Sequence, residues 1–351
     1  MGMPTVIVMS LFRQGLRPFL MEGQEKPHGV TGNTSPNLHS GQGPMRWPGG
    51  GDTPIFVVME FVPRGRWVRR LILAAGLVAA GVGVYAVRIE PDWIEVLRSV
   101  EYMPMLRPGA PDLTLVHLSD VHVGVIGRRE RRAIDIVNAA RPDLIVISGD
   151  LVRGGGRPAE LESFLSALHA RHGKFLVWGN HDYWDGVPKT WGPEVVRRAG
   201  FKLLRNSSQA IRFAGRRIVI AGLDDPITGH DSLKLAMTRV SRRDACILVT
   251  HSPEVVRSLG NWDIDLVLAG HTHGGQVRLP LMGALWVPYG TTDYIDGWFD
   301  VDPGVRLHVS RGLGWSWLPV RFLCRPAIDV ITLRSGRPPG RSEAKNITGR
   351  S

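Results

Sequence analysis

Cysteine is scarce: the 351-residue chain holds two, Cys246 and Cys324, and no Cys-x-x-Cys pair. That excludes a disulfide framework and a thiolate zinc site. It leaves Cys246, inside a strand-like run, as a small core residue. Charge is modest too, at 21% of residues against 43% hydrophobic, the balance of a globular protein. The formal net charge of +11 is spread out, with +1 over residues 1–58, +2 over 59–110 and +8 over 111–351, of which +4 falls in 334–351. The remaining body is too weakly basic to point to a specific nucleic-acid partner. There is no internal repeat, which excludes solenoids and propellers.

Residues 1–58 lack periodic apolar pattern and are rich in breakers such as Pro27, Pro36, Pro44 and Pro48-Gly49-Gly50-Gly51. They read as a disordered leader; a start at Met59, close before a targeting signal, would leave them untranslated. Leu71 to Val87 lacks any charge, and Arg64, Arg66, Arg69 and Arg70 precede it within a basic region over 59–88. Such a run is at the lower limit for a membrane span. With four arginines before it and only Arg88 close behind, it reads as a single-pass transmembrane or signal-anchor helix with the following domain outside the cytoplasm. Arg69-Arg70 resembles a twin-arginine export signal, and Val84-Tyr85-Ala86 a cleavage site. The competing reading is a buried core helix.

Residues 89–112, with Pro91, Pro104, Pro108 and Pro111, read as a linker. From 113 to 333 strand-like runs recur: Leu113–Leu118, Leu144–Ile147, Phe175–Trp178, Ile218–Ala221, Ile247–Val249, Leu266–Leu268 and Leu307–Val309. Helix-like segments at Arg128–Ala140 and Pro158–His169 separate the first three, with a proline at the first turn of the second. This alternation predicts an α/β domain with ligands at the carboxyl ends of its strands. The shortage of helices later in the chain predicts mixed sheets. Residues 334–351 read as a disordered basic tail.

Five of these runs end in candidate metal ligands. They are Asp120 and His122, two positions apart and so on one face of an extended chain; Gly149-Asp150; Gly179-Asn180-His181-Asp182; His251; and Gly270-His271-Thr272-His273. Glycine recurs just before the ligands, where the backbone has to turn sharply and come close to an ion. Taken singly, each stretch has a structural reading: a helix cap for Asp150, turn residues for Asn180 and Asp182, a core histidine for His251. Asp224-Asp225-Pro226, after another strand, reads either as part of the site or as a turn.

In order and spacing, the five stretches resemble the calcineurin-like (purple acid phosphatase-like) metallophosphoesterases, whose pattern is D-x-H, G-D, G-N-H-D/E, H and G-H-x-H. The Gly-His-Thr-His-Gly-Gly-Gln extension through Gln276, Ser310-Arg311-Gly312-Leu313-Gly314 and Arg321-Phe322-Leu323-Cys324 resemble a membrane-associated or exported bacterial branch. The sequence departs at Ala327-Ile328, where an acidic residue is expected before the last strand. The resemblance implies a four-layer α/β/β/α sandwich and two divalent transition-metal ions, Mn, Fe or Zn. Asp120, His122, Asp150 and His273 would hold one ion; Asp150, Asn180, His251 and His271 the other. A hydroxide bridging the two would attack a phosphomonoester or phosphodiester. His181 would act on the phosphate or leaving group, with Asp182 orienting its ring. A lipid-linked pyrophosphate such as UDP-2,3-diacylglucosamine is the alternative substrate; a nuclease and a non-catalytic membrane-tethered scaffold are further alternatives.

Overall fold

The computed structural model describes residues 65–336 apart from Thr292 and Pro303. The leader 1–58, Met59, Arg64 and the tail beyond 336 lie outside the described residues. Those described belong to one unit, Pro63–Ser351.

The chain begins with helix α1 (Arg66–Val84), a π turn over 85–89 and a 3-10 turn over 90–92. None of the side chains of α1 is buried. That removes the core-helix reading, because a core helix hides its apolar face. By length and composition α1 and the turns after it form a candidate membrane span.

Strand β1 (Glu95–Met103) follows, inside the segment read from sequence as a linker. Then come β2 (Leu113–Leu118), α2 (Arg128–Ala139), β3 (Leu144–Ser148), α3 (Pro158–Ser166), β4 (Gly173–Val177), α4 (Asn180–Trp184), α5 (Gly192–Arg198) and β5 (Lys202–Leu203). The second half holds β6 (Ser207–Phe213), β7 (Arg216–Gly222), α6 (Leu233–Ala236), β8 (Ala245–Val249) and β9 (Leu266–Ala269). The short pair β10 (Arg278–Leu279) and β11 (Gly283–Ala284) precedes β12 (Gly297–Asp302), β13 (Val305–Val309) and β14 (Ala327–Ser335). The last strand therefore runs two residues past 333.

Two six-stranded sheets result, in the orders β1-β14-β2-β3-β4-β5 and β12-β13-β9-β8-β7-β6. Both are mixed. In the first, β14 is antiparallel to β2 but parallel to β1, while β2, β3 and β4 run parallel. In the second, β7, β8, β9 and β13 run parallel between antiparallel edges β6 and β12. Apolar residues of both sheets, including Leu115, Val146, Phe175, Ile220, Ile247 and Leu268, form the core between them. Each such side chain contributes ~1.5–3 kcal/mol by leaving water. The outer face of the first sheet is covered by α2, α3 and α5 through Val137, Phe164 and Val195. The outer face of the second is covered by α6 and a 3-10 turn over 253–258 through Ala236 and Val255. The layers are thus α/β/β/α. Because β2, β3, β4, β8 and β9 are parallel, their carboxyl ends converge at one end of the sandwich.

Candidate metal centre

At that end Asp120 and His122 follow β2, Asp150 follows β3, Asn180 opens α4 after β4, His251 follows β8, and His271 and His273 follow β9. All seven are buried. Asp120, His122, Asp150, His271 and His273 have φ between 47° and 70°. For residues other than glycine this left-handed backbone costs on the order of 1–2 kcal/mol each, so the surrounding structure has to fix it. It does so by extending the strand pairing: Asp120 N donates to Gly149 O at 3.1 Å, and His122 N to Asp150 O at 3.0 Å. Two glycines are required by close approach. A Cβ on Gly270 would collide with Ser119 Oγ and the Asp120 carboxylate, and one on Gly179 with Asp150.

The donor atoms of Asp120, His122, Asp150 and His273 lie within 4.8 Å of one another. His122 Nδ1 is 3.1 Å from the Val152 carbonyl, so that nitrogen carries the proton and Nε2 points a lone pair at the cluster. Nε2 faces His273 Nε2 at 3.3 Å and Asp150 Oδ2 at 3.5 Å. Burial pushes the His122 imidazole down to about 3 and that of His273 well below its ordinary value. Both rings are therefore neutral. Asp120 Oδ1 and His273 Nδ1 are buried with no hydrogen-bond partner. Neutral imidazole nitrogens and carboxylate oxygens crowded together, with Asp120 Oδ1 left without a partner, fit a cation.

His251 marks the other half. Its Nδ1 lies 2.8 Å from the Ser148 carbonyl, while Nε2 lies 3.0 Å from Asn180 Oδ1 and 3.4 Å from Asp150 Oδ2. Burial alone would lower its pKa, but Asp150 and Asp120 push it up to about 10. Without an ion, a proton at Nε2 takes the position of positive charge. Asp150 is correspondingly held well below the carboxylate range against the effect of burial by His251 and His122, whereas burial raises Asp120 to about 6. His271 Nε2 lies 3.0 Å from Tyr289 O, leaving Nδ1 as its free donor, and burial lowers its imidazole to about 4. Asp150 stands between both sets: its Oδ2 faces His122 and His251, and its Oδ1 accepts from the His181 amide at 2.9 Å.

His181 is half-buried and reaches the pocket, its Nε2 3.4 Å from Ser316 Oγ. Asp182 does not orient that ring. Its Oδ1 accepts from the Leu151 and Val152 amides at 2.9 and 3.3 Å, and its Oδ2 from the Gly179 amide at 3.0 Å. Both oxygens are occupied by backbone, so Asp182 fixes the loops after β3 and β4. Asp225 belongs to a turn, accepting from the Ile227 and Thr228 amides, while Asp224 pairs with Arg205. Ala327 and Ile328 are buried, so no acidic group reaches the site from there.

A pocket of about 180 Å³ opens over Asp150, Asn180, His181, His271 and His273, walled by Trp184, Ile227, Trp286, Tyr289, Ser316 and Trp317. No wall residue was singled out from sequence, where only the loop Leu279–Gly297 as a whole reads as a seat of specificity; apart from Trp184 at the end of α4, they sit on loops without a spacing rule. A second unforeseen group is the buried trio His117, His308 and Asp329 between the sheets. His308 lies 3.4 Å from Asp329 and 3.2 Å from His117, which reaches Ser148 Oγ at 2.8 Å.

Comparison with known proteins places this geometry. Residues 113–275 match the family model described as calcineurin-like phosphoesterase. The chain is 34% identical over 271 residues to the uncharacterized metallophosphoesterase YkuE of Bacillus subtilis, covering 75% of this chain and 94% of that protein. It is 30% identical over 237 residues to an uncharacterized metallophosphoesterase of Aquifex aeolicus, covering 65% and 87%. A Danio rerio protein named as a transmembrane protein with metallophosphoesterase domain is 31% identical over 284 residues, covering 76% of this chain and 62% of that one. The chain therefore belongs to the calcineurin-like phosphoesterases.

Proposed function

We propose that the chain is a membrane-anchored phosphoesterase that hydrolyses a phosphomonoester or phosphodiester with two divalent ions. The observation that carries this is the convergence of Asp120, His122, Asp150 and His273, with Asp150 also facing His251. Asp120, His122, Asp150 and His273 would hold one ion, and Asp150, Asn180, His251 and His271 the other; Asp150 is shared because a carboxylate has two oxygens. The nitrogen and oxygen donors suit Mn, Fe or Zn. When bound, such ions acidify water and draw charge from phosphate oxygens. His181, beside the pocket and free of any ligand role, supplies a proton to the leaving oxygen. The second reading, a lipid-linked pyrophosphate as substrate, is favoured by the apolar α1 directly before the domain. Arg66, Arg69 and Arg70, in α1 ahead of its uncharged stretch from Leu71, orient the domain away from the cytoplasm, by the twin-arginine route or as an uncleaved anchor.

The test is hydrolysis of p-nitrophenyl mono- and diesters by the purified full chain with added Mn²⁺. Activity should be abolished by EDTA and restored by metal. No turnover with Mn, Fe or Zn would contradict the reading and leave the non-catalytic scaffold.

A further inference from the structure

The loop that walls the metal pocket is also the loop that meets the turns directly after α1. Ser316 and Trp317 line the pocket, and four residues on the Arg321 amide donates to Ala86 O at 2.9 Å. Phe322 packs edge-on against Tyr85, with ring centres 6.3 Å apart. The Glu90 carboxylate accepts from the Leu323 and Cys324 amides at 2.9 and 2.5 Å. Four residues reach at most ~14 Å, so Trp317 at the mouth of the pocket lies within that distance of Arg321, which is bonded to Ala86 two residues past the end of α1. The loop is not free to swing. Ser316 N donates to Gln276 Oε1, and Gln276 Nε2 to Ser316 O, at 2.5 and 3.2 Å.

Around this mouth the surface is apolar. Trp317 is 82% exposed, Leu318 66%, Leu281 109% and Met282 72%. Leu281 and Met282 form the tip of the β10–β11 hairpin, which is joined to the same loop where Arg278 N donates to Phe322 O at 2.9 Å. Large contiguous apolar patches are rare on soluble surfaces and mark a binding surface. Continuity with α1 identifies the occupant. A bilayer crossed by α1 has its interface where α1 gives way to the turns over 85–92; Phe322 and Leu323 stand against those turns, and the half-exposed Trp93 follows them directly. Trp at that level is the pattern of a membrane interface. A groove of about 380 Å³, lined by Gln276, Trp286, Ser316, Trp317 and Leu318, adjoins the metal pocket and shares three of its wall residues.

We propose that the hairpin tip and the 316–323 loop lie in the membrane interface, and that the groove takes the hydrocarbon portion of a membrane-resident phosphoester while its phosphate enters the metal pocket. The substrate class is thus an amphiphilic lipid phosphate or pyrophosphate; this rests on the phosphoesterase reading above.

The test uses the full chain in phosphatidylcholine vesicles carrying a trace of diazirine-acyl phosphatidylcholine, with Mn²⁺. Light should label peptides covering 279–286 and 316–323 as well as α1. In the same vesicles, dodecyl p-nitrophenyl phosphate should be cleaved roughly tenfold or more faster in kcat/KM than methyl p-nitrophenyl phosphate, since burial of each methylene adds to binding. The double variant L281S/M282S, which touches neither pocket, should reduce that preference and leave the methyl ester unchanged. Labelling confined to 66–89 together with equal rates for the two esters overturns the proposal. So does a hairpin tip shielded by a second copy, seen as a dimer without lipid label. Labelling of both loops without cleavage of either ester would uphold the membrane placement and sink the phosphoesterase reading instead.

Discussion

At the scale of single residues, Asp150 and His181 have separable parts. Asp150 faces donors on both sides of the site, whereas the His181 ring lines the pocket and packs edge-on against His122, with ring centres 4.9 Å apart, without being one of the four donors gathered around Asp120. Asp150→Ala should lose metal and activity together, by elemental analysis and turnover. His181→Ala should keep its metal and lose ~10²–10⁴ in rate, less for a p-nitrophenolate leaving group that needs no proton. Equal losses for good and poor leaving groups would remove the acid role. Asp182→Ala should behave as neither. With three backbone amides left without their acceptor, it should lower stability by ~1–3 kcal/mol or more in thermal unfolding, with no dependence on the leaving group. Protonation is legible at this scale as well. Since His251 carries a proton up to about pH 10 in the metal-free site, binding an ion at pH 7–8 should expel about one proton. Below pH 6, where Asp120 is protonated too, the release should approach two. Calorimetry in buffers of different ionisation enthalpy measures this. Pattern alone marked the seven residues that the fold gathers at one end of the sandwich, because each follows an apolar run read as a buried strand. It misassigned Asp182, because a carboxylate beside a histidine gives no sign of whether its oxygens meet the ring or the backbone.

At the scale of elements, the strands foreseen are the interior ones. Leu144–Ser148, Ala245–Val249 and Leu266–Ala269 are buried at every position, so their sequences are continuous apolar runs. Outside the runs read from sequence, β14 is interior and was marked only by resemblance, while β1, β5, β6 and β12 stand at sheet edges. There one side is solvated and residues such as Arg98, Gln209 and Asp300 break the run. β1 was further masked by the prolines on either side of it. The 311–324 loop was marked only by resemblance, and its organiser is Arg321. This fully buried guanidinium donates to the carbonyls of Arg311, Gly312, Gly314 and Cys324. Burial lowers it only to about 10, so it remains charged at neutral pH. Arg321→Lys should not substitute, since an ammonium cannot span four carbonyls in a plane. We expect it to raise KM for esters bound against Ser316 and Trp317, while metal content stays unchanged. Loss of metal instead would mean that the loop supports the ligands directly.

At the scale of the whole molecule, the site exists only because the two sheets are held in one register, four of the seven candidate ligands coming from the first sheet and three from the second. Apolar packing between sheets sets their spacing but is indifferent to sliding. The line Asp329, His308, His117 and Ser148 crosses from one sheet to the other and back, and Ser148 O in turn receives His251. Asp329 is buried, which raises a carboxyl, yet His308 beside it holds it below the usual range. Asp329→Ala should therefore cost ~1–3 kcal/mol, the penalty for leaving a buried polar group, here the His308 ring, without its partner. Because the folded pKa is depressed, that stabilisation is present above the unfolded carboxyl value of ~3.9 and is lost as pH falls through the folded value. The gap in melting temperature between wild type and variant should be constant near neutrality and close in acid.

The proposed site takes two ions, and the most direct measurement of that is metal content of the purified, active chain by elemental analysis, with phosphoester turnover followed in the same samples as metal is withdrawn and returned. Two equivalents per chain at full activity, falling to none in Asp150→Ala, is the expected result. A fully active preparation holding one ion or fewer would contradict it.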